Sequence, residues 1–241
     1  LTLMLEHRIG DNHLPEGSMV FGTTNLLSDG VGDMLKAHSL NRITVMQVRK
    51  PSAEEWIEWG AQSGIAAEAL AWVKAYPHAL ASYRDAGQAE NPYIFNPKTP
   101  QKSFVSPRSL HRASNVINKR HLVSRNTMVT GLIGTIGEAG AHDMVAYVEV
   151  ADSLPTWDEV MADPKGCKLP TSPAALNIMA FGALQRVDRG SIGNWFEYLK
   201  RTPKELQSVF CLQASKHPEK KQILLTSASF INWMRDNQYL F

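Results

Sequence analysis

The segments with the pattern of β-strands all lie within residues 1–50, and helical patterns follow to the end of the sequence. Residues 19–22 are apolar without alternation, as in a strand that is buried on both faces. Residues 42–48 include Ile43, Val45 and Val48 and form a second strand candidate. This order predicts an α/β part followed by a mostly helical part, with the boundary between residues 50 and 51.

Helix starts are marked by capping signals throughout the second part. Ser52 is followed three residues later by Glu55, and Thr156 by Glu159, which is the capping-box pattern. Ser106 is a good N-cap residue, and Pro107 suits the first position of a helix. Together with apolar periodicity, these signals predict helices over residues 65–76, 106–120, 124–136, 138–151, 173–187 and 222–235.

The composition is that of an ordinary globular protein, with 44% hydrophobic and 20% charged residues in a chain of 241 residues. A net charge of +2 gives no indication of a nucleic-acid surface. The two cysteines are too few for a disulfide framework, and a cytoplasmic protein with reduced thiols is expected. We expect no membrane span or signal peptide. The apolar first residues and the lack of a starting methionine predict that the chain begins inside a helix.

Asn25 follows the first predicted strand, at the sheet edge where open α/β folds bind ligands. Its amide group can donate and accept hydrogen bonds at once, so it can orient a water molecule beside the terminal phosphate of a nucleotide. The alternative is structural, because asparagine also ends strands and caps turns well. Position alone leaves both interpretations open.

Two arginines have similar double interpretations. Arg42 precedes the second predicted strand, where it can act on the nucleotide of a neighbouring subunit or form a surface salt bridge. Arg108 lies near a helix N-terminus, which favours anions, and its guanidinium group suits phosphate. Arg108 can equally be an exposed residue of a first turn.

Other polar and small residues have simpler interpretations. The glycines of residues 131–137 are not followed by Lys-Ser or Lys-Thr, so they favour close helix packing rather than a phosphate loop. Trp56, Trp59 and Trp72 occur at helical intervals and are expected in the core. The histidines have no spacing typical of metal ligands, so no metal-ligating residue is predicted.

In their order, several short motifs resemble the MoxR-like and dynein-related AAA+ ATPases. A helix ending in Glu6-His7-Arg8 precedes a turn-rich segment, and the next predicted strand ends at Asn25. Asn25 matches the asparagine called sensor 1, and Arg42 lies in a segment similar to that of the arginine finger. Ser106-Pro107-Arg108 is similar to the start of the sensor 2 helix. The resemblance implies that Asn25 and Arg42 are catalytic and that Asn25 and Arg108 bind the nucleotide.

The resemblance also implies a domain arrangement. Residues 1–50 would be the C-terminal strands of a parallel AAA+ sheet, residues 51–165 a helical lid and residues 166–241 a helical extension, similar to bacterial and phage members. The implied function is ATP hydrolysis with Mg²⁺ that remodels a protein client, in a homo-oligomeric ring such as a hexamer.

The sequence departs from the family in one large respect. It contains no G-x-x-x-x-G-K-[ST] motif and no apolar strand ending in Asp-Glu, so the phosphate-binding lysine and the Mg²⁺-binding acid are absent. In the family both precede the segment that Leu1 begins. The expectation is the C-terminal part of a longer ATPase, inactive in hydrolysis alone. The alternative is a non-catalytic helical scaffold or adaptor that has lost the nucleotide site.

Overall fold

The computed structural model describes residue 3 and residues 6–24, 42–99 and 101–237. It divides the chain into two compact units, Leu1–Lys50 and Pro51–Phe241. The domain boundaries predicted from the sequence at residues 50 and 165 stay predictions.

The first unit contains a short antiparallel hairpin. Strands β1 (Arg8–Ile9) and β2 (Asn12–His13) pair with Arg8 opposite His13 and Ile9 opposite Asn12. Gly10 lies in the turn with a φ of +58°, a conformation that glycine adopts without steric cost. The turn-rich sequence predicts a short hairpin or loop at this place, and the structure has a hairpin.

The predicted parallel α/β sheet is wrong for the part of the chain that the structure describes. The two-stranded hairpin is the sheet found there, and residues 18–24 and 43–48 form no strand. Met19, Phe21 and Val48 are more than four-fifths exposed. Apolar character alone does not make a strand, because a strand also needs neighbours for its N–H and C=O groups and a layer to cover its side chains. The fold class is mainly α-helical.

The second unit is built from helices, and its first half contains α1 to α4. Their bounds are Ala53–Gln62 for α1, Ala67–Ala75 for α2, Pro107–Asn118 for α3 and Arg125–Asp152 for α4. Two short 3₁₀ helices, Pro77–Leu80 and Arg120–Leu122, lie between them.

Six more helices follow in the described part of this unit. Their bounds are Trp157–Ala162 for α5, Pro173–Arg186 for α6, Ile192–Leu199 for α7, Lys204–Ser215 for α8, Pro218–Leu225 for α9 and Ala228–Asp236 for α10. No helix in the described ranges has an apolar stretch long enough to cross a membrane.

Helix α2 lies at the centre of the second unit. Residues 69–73 of α2 are completely buried, and the helix packs against α1, α4 and α6. Ser114 in α3 holds the start of α2, because its hydroxyl oxygen accepts a hydrogen bond of 2.7 Å from the buried N–H of Ala66. A continuous hydrophobic cluster extends from Trp56 in α1 to Trp233 in α10. The α1–α3 region is therefore supported by a packed core.

Helix α4 contains a break at Gly137, where φ is +79° and ψ is 168°. The sequence predicts two helices that meet at this position, and the break confirms that prediction. Gly140 also packs closely, since an added methyl group would lie 3.0 Å from Val105. Within residues 131–137, a methyl group added at Gly131 would lie 3.5 Å from Val116, an ordinary contact, and one added at Gly134 would meet no described atom within 4 Å. Close helix packing therefore does not explain Gly134.

Candidate functional site

The structure describes two of the three residues that the sequence predicts for a nucleotide site. Asn25 lies outside the described residues. Arg42 is exposed in the first unit, and Arg108 is exposed in the second. The predicted convergence of the three side chains on one nucleotide therefore stays a prediction. Arg108 borders a groove in the described residues.

Arg108 is placed by a firmly anchored helix start. The Ser106 side chain accepts a hydrogen bond from the Ser109 N–H, and the Ser109 hydroxyl donates to the carbonyl oxygen of Phe104 at 2.8 Å. Leu110, on the inner face of α3, is completely buried. These contacts fix the first turn, with Arg108 on its outer side, so the position of its backbone is determined by the fold.

The guanidinium group of Arg108 forms no hydrogen bond or ion pair with any residue that the structure describes. It borders a groove between the first turns of α1 and α3, with a volume of about 370 Å³. Seven residues line the groove: Pro51, Glu55, Trp56, Trp59, Pro107, Arg108 and His111. The groove therefore combines an available cation with an aromatic wall.

The aromatic wall comes from α1 and α3. Trp56 is buried, and its indole N–H donates to the carbonyl oxygen of Pro107 at 3.3 Å, which ties the two helices together. Trp59 is 46% exposed. The ring centres of Trp59 and His111 are 5.5 Å apart, with their planes at 71°, an edge-to-face arrangement. The exposed indole and the imidazole thus form a corner in which a flat ring can lie.

The prediction that all three tryptophans belong to the core is wrong for Trp59. Trp56 and Trp72 are buried as predicted, with 2% and 0% exposure. The inner stripe of α1 consists of Trp56, Ile57, Gly60 and Ala61, and position 59 lies outside it at 100° per residue. A helical wheel of α1 therefore places Trp59 outside the buried face, whereas the three-residue spacing between Trp56 and Trp59 alone does not.

The groove carries charges of both signs. Arg108 contributes the cation, and the Glu55 carboxylate is an anion that accepts a 2.8 Å hydrogen bond from the Ser52 N–H. This bond belongs to the capping box of α1, which holds the carboxylate near the helix start. A ligand that suits the groove therefore has an anionic part for Arg108 and an uncharged part for the aromatic corner.

The residues of the groove fit ATP in these two respects. A guanidinium group offers forked N–H donors to phosphate oxygens, and indole rings stack on bases. The described ranges contain no group of three or more histidine, cysteine or acidic side chains positioned to hold a metal. The groove therefore offers a cation for an anionic group and aromatic rings for a flat one.

A larger cavity, of about 890 Å³, borders the break in α4. Its tyrosine, Tyr93, donates a 2.6 Å hydrogen bond to Asp143, and burial together with this carboxylate raises the pKa of the phenol well above its ordinary value. Glu138 lies 4.0 Å from His142. The described lining holds two acidic side chains, Glu138 and Asp143, against one lysine, Lys102, so this cavity is less suited to an anion than the groove at Arg108.

The sequence matches no protein-family model, and comparisons with curated proteins and with solved structures gave no match. The groove and the sequence motifs are therefore the observations that bear on function.

Proposed function

We propose that the helical unit is the nucleotide-responsive lid of an ATPase similar to the MoxR-like AAA+ proteins, and that Arg108 binds the phosphates of ATP. The observation that carries the proposal is the guanidinium group of Arg108, which borders the groove and has no partner among the described residues. The proposal includes no parallel sheet in residues 1–50.

Physical chemistry supports phosphate as the ligand of Arg108. A guanidinium group can form two parallel charge-assisted hydrogen bonds to a phosphate, and it stays charged at any physiological pH. The first turn of α3 adds the positive end of the helix dipole. The capping contacts of Ser106 and Ser109 fix this turn before a ligand arrives, which lowers the entropy that binding costs.

In this proposal the groove binds the nucleotide, and the chemistry of hydrolysis needs groups beyond it. The sequence supplies no phosphate-loop lysine, and the described residues supply no metal site. Arg42, which is exposed, would act on the nucleotide of a neighbouring copy in a ring. Movement of the helical unit upon hydrolysis would then remodel a protein client in the cytoplasm.

Calorimetric titration of the full chain with ATP tests the role of Arg108. We expect Arg108→Ala to weaken ATP binding by at least about tenfold, the effect of losing one charge-assisted contact. Arg108→Lys should recover part of the affinity, because it keeps the charge but loses the fork.

The matched control is Arg112→Ala, which removes an exposed arginine from the same helix outside the groove. It should bind ATP like the unmodified chain. If Arg108→Ala and Arg112→Ala both leave the dissociation constant unchanged, Arg108 is not the phosphate ligand.

The alternative function is a non-catalytic helical scaffold or adaptor. The absence of a phosphate-loop motif from the 241 residues favours it. A chain that binds neither ATP nor inorganic triphosphate, yet remains folded, would support this alternative and contradict the ATPase proposal.

A further inference from the structure

We infer that Trp59 and His111 form a binding site for the base of the nucleotide, called the base seat below, so that one groove binds both ends of the ligand. This inference rests on the proposed function, because it concerns the same ligand. It adds a second contact that is independent of charge: the flat ring of the base lies against the aromatic corner, while the phosphates extend to Arg108.

Exposure and ring geometry make Trp59 suitable for stacking. Nearly half of its surface is open to solvent, although tryptophan is an expensive residue to leave in water. With the Trp59 and His111 planes at 71°, a ring that stacks on one of them meets the other at a steep angle. Offset stacking and edge-to-face contact are the two arrangements that aromatic rings prefer, and the corner offers both at once.

The corner is held rigidly from behind. Gly60 packs so closely on the neighbouring side chains that an added methyl group would lie 2.9 Å from Leu70 and 3.1 Å from Ile65. The indole N–H of Trp56, one turn before Gly60, is hydrogen-bonded to the carbonyl oxygen of Pro107. Because α1 is held against α2 and α3 in this way, the backbone of Trp59 is positioned before the ligand binds, which lowers the ordering entropy that binding costs.

The charges of the groove orient the ligand. Arg108 attracts phosphate, so the anionic end of a nucleotide is directed to Arg108 and the uncharged ring to the aromatic corner. A volume of about 370 Å³ lies at the lower end of the range for small-molecule pockets, about 300–1,000 Å³. The groove thus accommodates one small ligand rather than a long polymer.

A comparison of two ligands, ATP and inorganic triphosphate, tests the inference on the full chain. We expect Trp59→Ala to weaken ATP binding by roughly five- to a hundredfold, the range for one base stacked on an aromatic residue, and to leave triphosphate binding unchanged. Trp59→Phe should retain most of the affinity for ATP. Arg108→Ala should weaken the binding of both ligands.

The outcomes of this experiment distinguish a failure of the base seat from a failure of the proposed function. If the unmodified chain binds both ligands and Trp59→Ala changes neither affinity, or both equally, the base seat is wrong; the role of Arg108 then stands where Arg108→Ala weakens the binding of both ligands. If the unmodified chain binds neither ligand, the proposed function and the base seat both fail. Binding of a proline-rich peptide through Trp59, without nucleotide binding, would also overturn the inference.

Loss of folding does not confuse the result. Trp59 is exposed, so thermal unfolding followed by circular dichroism should show Trp59→Ala and Trp59→Phe folded like the unmodified chain. In addition, unchanged triphosphate binding in Trp59→Ala is itself a measure of an intact groove. If Trp59→Ala loses both its fold and triphosphate binding, Trp59→Phe and His111→Ala are compared instead. The base seat then stands if Trp59→Phe binds ATP more tightly than His111→Ala.

Discussion

The carbonyl oxygen of Ser103 lies directly against Gly137, so close that a methyl group added to the glycine would be 2.7 Å from it. The same glycine has a φ of +79° and a ψ of 168°, a backbone region that residues with a side chain hardly enter. The Ser103 hydroxyl also donates to the Gly134 carbonyl oxygen at 2.6 Å, just before the break in α4. Together these contacts hold the segment before α3 against the bend of α4.

Gly137→Ala should therefore destabilise the protein by about 2–4 kcal/mol, from backbone strain and steric conflict with Ser103. Urea denaturation measures the change in the free energy of unfolding. Gly134→Ala is the matched control, because position 134 is helical and has open space around it. It should be stabilising by about 0.5–1 kcal/mol. Equal stability of both variants would mean that the bend at Gly137 does not require glycine.

Two glutamines of α8 make a second matched pair. Gln207 is buried, and its side chain accepts a 2.6 Å hydrogen bond from the Trp233 indole and donates one of 2.7 Å to the Thr202 carbonyl oxygen. Gln207→Leu removes both bonds from the interior and should cost about 1–3 kcal/mol. Thermal or urea unfolding provides the measurement.

Gln213 is the opposite case on the same helix. Its side-chain oxygen is buried and has no hydrogen-bond partner among the described residues. Gln213→Leu removes this unsatisfied acceptor, so stability should stay the same or rise by up to about 1 kcal/mol. A larger loss for Gln213→Leu than for Gln207→Leu would contradict the hydrogen-bond assignment.

Arg120 connects the buried carboxylate of Glu68 in α2 to Asp152 at the end of α4. Its guanidinium group lies 3.0 Å from Glu68 and 2.7 Å from Asp152, and only 8% of the Glu68 side chain is exposed. Arg120→Met leaves a buried carboxylate without its cation and should cost about 2–4 kcal/mol. Urea denaturation of Arg120→Met, with and without Glu68→Gln, measures this cost. The second change should recover much of the loss.

The Arg125–Glu149 pair serves as the control for this prediction. Its side chains are 65% and 55% exposed, so solvent screens their attraction. Arg125→Met should change the free energy of unfolding by less than about 1 kcal/mol. If Arg120→Met and Arg125→Met lower the free energy of unfolding by similar amounts, the burial of Glu68 does not strengthen its ion pair.

The sequence predicts helix starts well because their signals are local. Ser52 and Glu55, like Thr156 and Glu159, satisfy each other's backbone N–H groups within one turn, and both capping boxes are present in the structure. The predicted helix over 222–235 is instead two helices. Ser227 is the N-cap of the second helix, because its hydroxyl oxygen accepts a hydrogen bond from the Phe230 N–H. Apolar residues lie on both sides of this N-cap, so the apolar periodicity alone does not indicate the break.

Strands and the site depend on partners that are distant in sequence. Phe21 and Val45 have the composition of strand residues, but composition does not specify which strand will pair with them, and both are exposed. Likewise, Trp59 and His111 occur on different helices, and only the packing of α1 against α3 brings them to one groove. Arg108 is the one groove residue that the sequence singles out as a ligand-binding candidate.

A buried histidine at the start of α9 predicts how stability depends on pH. His217 is 5% exposed, and neither ring nitrogen has a hydrogen-bond partner among the described residues. Burial lowers its pKa below the ordinary value of 6.5; Glu58 opposes this shift, and Lys220 and Lys216 add to it. Lys220 donates to the Val187 carbonyl oxygen at 2.6 Å, and Lys216 lies 3.3 Å from Glu58, so these charges are held in place.

Because the folded protein binds this proton less readily than the unfolded chain, acid favours unfolding. The contribution of neutral His217 is fully present above pH 6.5 and is lost as the pH falls toward the lower pKa of the folded state. The slope for one proton cannot exceed about 1.4 kcal/mol per pH unit. Urea denaturation between pH 7.5 and 5 should give a flatter profile for His217→Leu than for the unmodified chain. His121→Gln, which removes an exposed imidazole, should follow the unmodified chain, and parallel profiles for all three proteins would exclude His217 as the source of acid sensitivity.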